Sequence, residues 1–154
     1  MLLFQIIGMG SGDRPGVAGQ EEMGGAGAPV AVQTMTKTET ANLSATMEQI
    51  EKVAEAGADI VRVAVPRDKD IEALKVIVKK SPIPIIADIH FHHTLALKAI
   101  EAGADCIRLN PGKIGGRDKV AEVAKLANKR CTPLHIGVNS GSRPKHLHYP
   151  EREN

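Results

Sequence analysis

Two arginines, Arg62 and Arg108, give the first indication of chemistry in this sequence. Each lies three residues after the aspartate of a Gly-Ala-Asp turn, inside a short β-rich run. A guanidinium group is rarely buried without a partner, and its planar fork matches the oxygens of a phosphate group. Two such side chains in equivalent places predict an anionic ligand. The structural alternative is that Arg62 forms a buried ion pair with Asp88 and has no ligand role.

Further polar side chains fall on the same predicted face as these arginines. Successive side chains of a β-strand alternate between two faces, and here one face is apolar in each predicted strand while the other carries polar groups. The polar groups concentrate towards the carboxyl ends of the strands, where (β/α)-barrels place their active sites. The sequence therefore predicts a polar, anion-binding site drawn from Gln33, Arg62, Asp88, His90, Arg108, Asn110, His135 and Asn139.

Short strands and longer helices must alternate to position these residues. The segments 43–56 and 117–129 carry apolar residues at the three- and four-residue spacing of a helix with one buried face. Strands that alternate with helices predict an α/β fold with a parallel sheet. The predicted helices span 43–56, 68–80, 92–102 and 117–129, and the predicted strands are Val30–Met35, Ile60–Val65, Ile85–His90, Cys106–Asn110 and Leu134–Asn139.

An internal repeat favours a barrel over a doubly wound sheet. Glu55-Ala-Gly-Ala-Asp-Ile-Val-Arg62 recurs 46 residues later as Glu101-Ala-Gly-Ala-Asp-Cys-Ile-Arg108. That offset covers two β/α units of about 23 residues, a length that suits a barrel with compact loops. A doubly wound sheet accepts the same pattern, but the turns after the strands lack its G-x-G-x-x-G fingerprint. We expect a partial TIM (β/α)8 barrel with about five parallel strands and four helices, open because closure needs about eight strands.

Several other reactive residue types have structural explanations. Asp59 and Asp105 begin strands after a turn, and we expect them to be structural. Cys106 and Cys131 are the only cysteines, too few for a disulfide framework or a complete metal site, and we expect both to be small core residues. The histidines at 90, 92 and 93 fit no common metal-ligand spacing, so the last two are expected to be capping or surface groups.

A glycine-rich loop, Asn110-Pro-Gly-Lys-Ile-Gly-Gly116, follows the fourth predicted strand. Its backbone N–H groups could cradle a phosphate, or the loop could be only a flexible turn. The sequence favours neither interpretation.

Composition and charge limit the wider function. The net charge is only +2 with basic and acidic residues interspersed, which predicts no nucleic-acid binding. The apolar runs are too short to cross a membrane, and the start lacks the basic flank of a signal peptide, so we expect a cytoplasmic protein. Residues 1–28 are glycine-rich and are predicted to be irregular, residues 29–142 form the barrel portion, and residues 143–154 form a polar tail.

Five sequence blocks, in order, resemble the bacterial 4-hydroxy-3-methylbut-2-enyl diphosphate synthases. The blocks cover about residues 26–142, and their order is a far more specific signal than any one motif. They are Ala28-Pro-Val-Ala-Val-Gln-Thr-Met-Thr36, Asp59-Ile-Val-Arg-Val-Ala-Val-Pro66, Ile86-Ala-Asp-Ile-His-Phe91, Ile107-Arg-Leu-Asn-Pro-Gly-Lys-Ile-Gly115 and Ile136-Gly-Val-Asn-Ser-Gly-Ser142.

The resemblance implies a reaction, a cofactor and partners. The family reductively opens 2-C-methyl-D-erythritol 2,4-cyclodiphosphate in the non-mevalonate route to isoprenoids, and its TIM barrel binds the diphosphate. A separate domain carries a [4Fe–4S] cluster held by three cysteines and a glutamate, flavodoxin or ferredoxin supplies electrons, and the enzyme is a homodimer. By resemblance, Arg62, Arg108 and Asn110 would hold the diphosphate, and Asp88, His90 and Asn139 would line the pocket.

The sequence departs from the family in ways that bear on activity. The family usually has arginine where His135 stands, and imidazole replaces the guanidinium fork only in part. Three β/α units and the iron–sulfur domain are expected to be absent, so we expect the chain alone to be inactive but to retain diphosphate binding. The alternatives are another phosphate-binding barrel, such as a pterin-binding synthase, or a non-catalytic ligand-binding fragment.

Overall fold

The computed structural model describes residues 31–137. The predicted irregular segment 1–28, the polar tail 143–154 and the candidate residue Asn139 lie outside this range. The account of the fold below concerns the described residues alone.

Five parallel strands form one sheet in the order β1-β2-β3-β4-β5, so each strand pairs with its neighbours in the chain. The predicted strands are confirmed, although each is shorter than its sequence pattern. The strands are β1 (Gln33–Met35), β2 (Ile60–Ala64), β3 (Ile85–Ile89), β4 (Cys106–Leu109) and β5 (Leu134–Ile136).

Helices connect the strands, and one of them was not predicted. The glycine-rich loop after β4 contains a short helix, so the described residues hold five helices, one more than the four expected. Asn110 caps this helix by accepting a hydrogen bond from the Gly112 N–H, and Pro111 occupies its first turn, where a missing N–H costs nothing. The helices are α1 (Leu43–Glu55), α2 (Asp68–Lys80), α3 (His93–Glu101), α4 (Pro111–Ile114) and α5 (Arg117–Lys129).

The core shows that the helices cover one face of the sheet. The larger apolar cluster joins buried helix residues such as Leu74 and Val123 to alternate strand residues such as Val63 and Leu109. A second, small cluster lies on the other face and consists only of strand residues: Ile60, Ile86 and Cys106. Consecutive strand order with the helices on one face is the arrangement of a barrel, whereas a doubly wound sheet has helices on both faces. The expected open, partial barrel is confirmed, since β1 and β5 each have a strand partner on one side only within residues 31–137.

The sequence repeat has a matching structural repeat. Asp59 Oδ2 accepts from the Val32 N–H at 2.7 Å, and the Asp59 N–H donates back to the Val32 carbonyl at 2.9 Å. Asp105 makes the same pair of contacts with Ile85, at 2.8 and 3.1 Å. Each aspartate thus fixes the start of its strand against the neighbouring strand, which confirms the structural role expected for both.

Two expectations about burial are wrong. Cys106 is a buried core residue as predicted, but Cys131 is exposed and has φ 53° in the turn before β5. Val32 and Ile136, both on the predicted apolar face, are 54% and 48% exposed, and they lie beside or in β1 and β5, the edge strands of the described sheet. Within the described range, each helix is too short or too polar to cross a membrane.

Candidate anion-binding site

Asp88 is the centre of the candidate site. Its side chain, on β3, is almost completely buried on the face of the sheet opposite the helices. Oδ2 lies 3.2 Å from Arg62 Nε, and Oδ1 lies 3.0 Å from Arg108 Nη1. The Oδ1 contact is a hydrogen bond, whereas the Oδ2 contact is an ion pair outside hydrogen-bond geometry. Two guanidinium groups therefore share one carboxylate, and the three side chains together carry one net positive charge.

The strand register explains how these side chains meet. Asp88 on β3 pairs with Arg108 on β4, and Arg108 pairs with His135 on β5. These three side chains form a row at one level of the sheet, because directly paired residues point to the same face. Arg62 on β2 lies two residues closer to the amino end, opposite Ile86, and its guanidinium reaches Asp88 from the other side.

Arg62 also contacts the edge of the sheet. Its Nη2 lies 3.3 Å from Met35 Sδ, on β1. Its side chain is 23% exposed and that of Arg108 is 26% exposed, so both guanidinium groups are half-buried and reachable from solvent.

His135 is buried beside the two arginines. Burial is the largest cause lowering the pKa of its imidazole below the ordinary value of 6.5, and the charges of Arg108 and Arg62 lower it further. Asp88 acts in the opposite direction and raises this pKa. The net shift keeps His135 neutral at pH 7.

His90 lies at the margin of the cluster. Its Nδ1 is 3.9 Å from Asp88 Oδ1, beyond hydrogen-bond distance, and its side chain is 39% exposed. Its ring centroid is 5.9 Å from that of Phe91, which is itself exposed and has Lys113 Nζ 5.7 Å from its ring centroid. Phe91 and Lys113 were not predicted as site residues, although Lys113 lies in the glycine-rich loop that the sequence indicated.

The other predicted residues are placed less centrally. Asn110 Oδ1 is used in capping α4. Gln33 is the first residue of β1 and pairs with Ile60, two residues before the level of Arg62, so the structure does not bring it to the cluster. Asn139 lies outside the described residues.

Gly137 approaches Arg108 closely, and sequence reasoning missed this contact. A Cβ atom at Gly137 would lie 2.9 Å from Arg108 Nη2 and 3.2 Å from Cζ, closer than side chains pack. The Gly137 N–H donates to the Leu109 carbonyl at 2.9 Å, which keeps its backbone in place after β5. The Arg108 guanidinium therefore occupies the space that a side chain at position 137 would fill.

Comparison with known proteins identifies the family. The GcpE TIM-barrel domain model matches residues 16–153. The chain belongs to the GcpE TIM-barrel family. It is 51% identical over 134 residues to the 4-hydroxy-3-methylbut-2-en-1-yl diphosphate synthase (flavodoxin) of Magnetococcus marinus, covering 87% of this chain and 36% of the relative. The proteins of the same name from a Ruegeria species and Idiomarina loihiensis are each 54% identical over 123 residues, or 80% of this chain and 33% of theirs.

This GcpE-family chain spans about a third of the length of these curated relatives. Its predicted fold and family are confirmed, whereas the roles of the candidate site residues stay predictions.

Histidine, cysteine and carboxylate side chains form no cluster suited to a metal ion among residues 31–137. His92 is exposed, and His93 Nε2 lies 3.6 Å from Glu122 Oε2.

Proposed function

We propose that this chain supplies the diphosphate-binding part of a 4-hydroxy-3-methylbut-2-enyl diphosphate synthase. Its substrate would be 2-C-methyl-D-erythritol 2,4-cyclodiphosphate, which the enzyme opens reductively. The observation that carries the proposal is the cluster of Arg62, Asp88 and Arg108, which has a net positive charge and lies towards the carboxyl ends of β3 and β4, the end of the strands where barrels bind ligands. The identity of the substrate is what the family resemblance implies, and the names of the relatives support it by stating a diphosphate product.

The two arginines would bind the diphosphate directly. Each commits one nitrogen to Asp88, and Arg62 also uses Nη2 towards Met35 Sδ, so the remaining nitrogens of each planar fork would meet the phosphate oxygens. Charge-assisted hydrogen bonds of this kind are about twice as strong as neutral ones. The remaining predicted substrate-binding residues are Asp88, His90, Asn110, His135 and Asn139.

The residues of this chain do not fit the iron–sulfur cluster that the family resemblance implies. That cluster takes three cysteines and a glutamate, and the whole sequence contains two cysteines. Cys106 is buried on β4 and Cys131 is exposed in the turn before β5. Burial raises the pKa of the Cys106 thiol to about 12, which opposes the thiolate form that binds iron. We therefore assign substrate binding to these residues of the chain.

The cellular setting and the partners are part of the same proposal. Flavodoxin appears in the names of the relatives and would be the electron donor of the complete enzyme, which would be a homodimer. The two cysteines are unpaired, which suits the reducing cytoplasm.

Isothermal titration calorimetry of the full chain with the cyclic diphosphate at low salt tests the proposal. Binding should weaken as salt rises, because dissolved ions screen the attraction between the anionic ligand and the solvent-reachable guanidinium groups. Arg62→Lys and Arg108→Lys should each weaken binding by about tenfold, the equivalent of about one hydrogen bond to a charged group. The exposed Arg130→Lys is the matched control and should leave the affinity unchanged. Undetectable binding by the folded chain at low salt would refute the proposal.

A further inference from the structure

Asp88 and Gly137 both contact Arg108 but differ in what they contribute. Asp88 holds Nη1 by a hydrogen bond, and Gly137 leaves open the space that Nη2 occupies. We infer that Asp88 and Gly137 are positioning residues that fix the Arg108 guanidinium, and with it Arg62, in the orientation that receives the diphosphate. This inference rests on the proposed function and deepens it, because it gives Gly137 a role and assigns Asp88, predicted as a substrate-binding residue, a role that needs no contact with the ligand.

The placement of Asp88 suits a positioning role. β3 lies between β2 and β4, so its carboxylate can receive one arginine from each side and use a different oxygen for each. Without the carboxylate, the two guanidinium groups would face each other as like charges in a half-buried setting. Asp88 thus keeps the two guanidinium groups at a set separation.

Because Asp88 is negatively charged, positioning of the arginines can be distinguished from a purely electrostatic effect of Asp88 on the ligand. A buried carboxylate beside an anion site repels the ligand, so its removal should strengthen binding if charge alone matters. If Asp88 positions the arginines, its removal should weaken binding even though the site becomes more positive. The sign of the change in affinity for Asp88→Asn therefore decides between the two roles.

Gly137 provides an independent test, because its substitution leaves every charge in place. A Cβ atom at this position would meet Nη2, Cζ and Nε of Arg108 at 2.9–3.3 Å. The hydrogen bond from Gly137 to the Leu109 carbonyl restrains the backbone, so the guanidinium has to move. The displaced group would lose its alignment with Asp88 and with the ligand.

The experiment measures the affinity of the full chain for the cyclic diphosphate and for inorganic pyrophosphate by calorimetry. Asp88→Asn and Gly137→Ala should each weaken binding by about tenfold, as expected for one lost charge-assisted hydrogen bond. In an Arg108→Leu background, Gly137→Ala should have no further effect and Asp88→Asn a smaller one, because residues that act through a shared partner are not additive. Exposed Asp68→Asn is the control for the loss of a carboxylate and should leave the affinity unchanged.

Nuclear magnetic resonance of the arginine Nε–H groups gives a readout that a purely structural role would not change. The Arg108 signal should shift and sharpen as the guanidinium gains mobility in Gly137→Ala, while the backbone spectrum is retained. Tighter binding by Asp88→Asn would overturn the inference and leave the proposed function intact. Equal effects of Gly137→Ala in the presence and absence of Arg108 would also overturn it. A lack of binding by the unsubstituted chain would count against the proposed function instead.

Discussion

His135 lies directly beside Arg108, its register partner across strands β5 and β4. A titratable imidazole next to a permanent positive charge has a lowered pKa, and burial lowers it further. A bound anion at this site would counter both effects, because it stabilises the imidazolium form. Proton uptake and diphosphate binding should therefore be linked through this residue.

The first prediction concerns the pH dependence of that binding. In the free chain His135 is neutral above 6.5, and a bound diphosphate raises its pKa, so the affinity should increase as pH falls through the pKa of the bound state. The affinity should stop increasing once the pH is below the lowered pKa of His135 in the free chain. The total gain in affinity is about tenfold for each unit by which the pKa of His135 in the bound state exceeds that in the free state. The cyclic diphosphate suits this titration because each of its phosphates has one ester and one anhydride bond and therefore lacks the second ionisation near about pH 6. Calorimetry from pH 8 downwards measures the effect.

Two substitutions control that experiment. His135→Gln should abolish the pH dependence and keep the affinity of the neutral form. His135→Arg should also be independent of pH and should bind more tightly at pH 8, because a permanent guanidinium replaces the neutral ring. A pH profile unchanged by His135→Gln would show that another group is responsible.

The second prediction concerns the thiols. Cys106 is fully buried and its pKa is raised to about 12, so it should resist alkylation in the folded chain. Cys131 is exposed and should react readily at pH 8. Mass spectrometry after brief iodoacetamide treatment should show one modified cysteine in native buffer and two in denaturant. Cys131→Ser should remove the native reaction, and modification of Cys106 in the folded variant would contradict its burial on β4.

The third prediction concerns the repeated aspartates. Asp105 is partly buried where it bonds the Ile85 N–H, so Asp105→Ala should lower the free energy of unfolding by about 1–3 kcal/mol. Asp59 makes the equivalent contact at an exposed position, so Asp59→Ala should lower the free energy of unfolding by a smaller amount. Urea unfolding followed by circular dichroism measures both. Asp105→Asn keeps an acceptor oxygen and should therefore retain part of the stability that Asp105→Ala loses. If Asp59→Ala and Asp105→Ala lowered the free energy of unfolding equally, burial would not be the cause of the difference.

The fourth prediction concerns the cofactor. Anaerobic incubation of the chain with iron, sulfide and a reductant should leave it without a stoichiometric [4Fe–4S] cluster, since its two cysteines cannot provide three thiolate ligands. We expect no ring opening of the cyclic diphosphate by the chain alone. Iron and sulfide analysis after gel filtration, with a parallel turnover assay, measures both outcomes. Turnover by the chain alone would show that electrons reach the substrate by a different route.

Within residues 31–137, the sequence predicted the strands and the alternation of apolar and polar side chains along the central ones, because alternation at sites such as Val61, Arg62 and Val63 is a local property of the chain. It also placed Arg62 and Arg108 on one face, which their shared contact with Asp88 confirms. Helix α4 was missed because glycines dominate its loop, although Asn110 before a proline is a recognisable start of a helix.

Other features depend on contacts that no local pattern encodes. The close approach of Gly137 to Arg108 follows from the register of β4 and β5 and from the rotamer of one long side chain. The exposure of Cys131 follows from its positive φ in a turn, and a lone cysteine in a sequence is more often buried. The sharing of Asp88 by two arginines needed the relative positions of three strands, whereas the sequence suggested a pair with Arg62 only.

The consecutive order of the strands also bears on how the chain folds during synthesis. Each strand from β2 onwards pairs with the strand made just before it, so its partner has already left the ribosome when it emerges. Pairings between neighbouring segments close short loops, and folds rich in them form quickly. Asp59 bonds Val32, just before β1, and Asp105 bonds Ile85, at the start of β3. These contacts would hold β2 and β4 to the strands made before them. We expect the sheet to grow from β1 towards β5 on the translating ribosome, with the Asp88 cluster complete only after β4 has emerged.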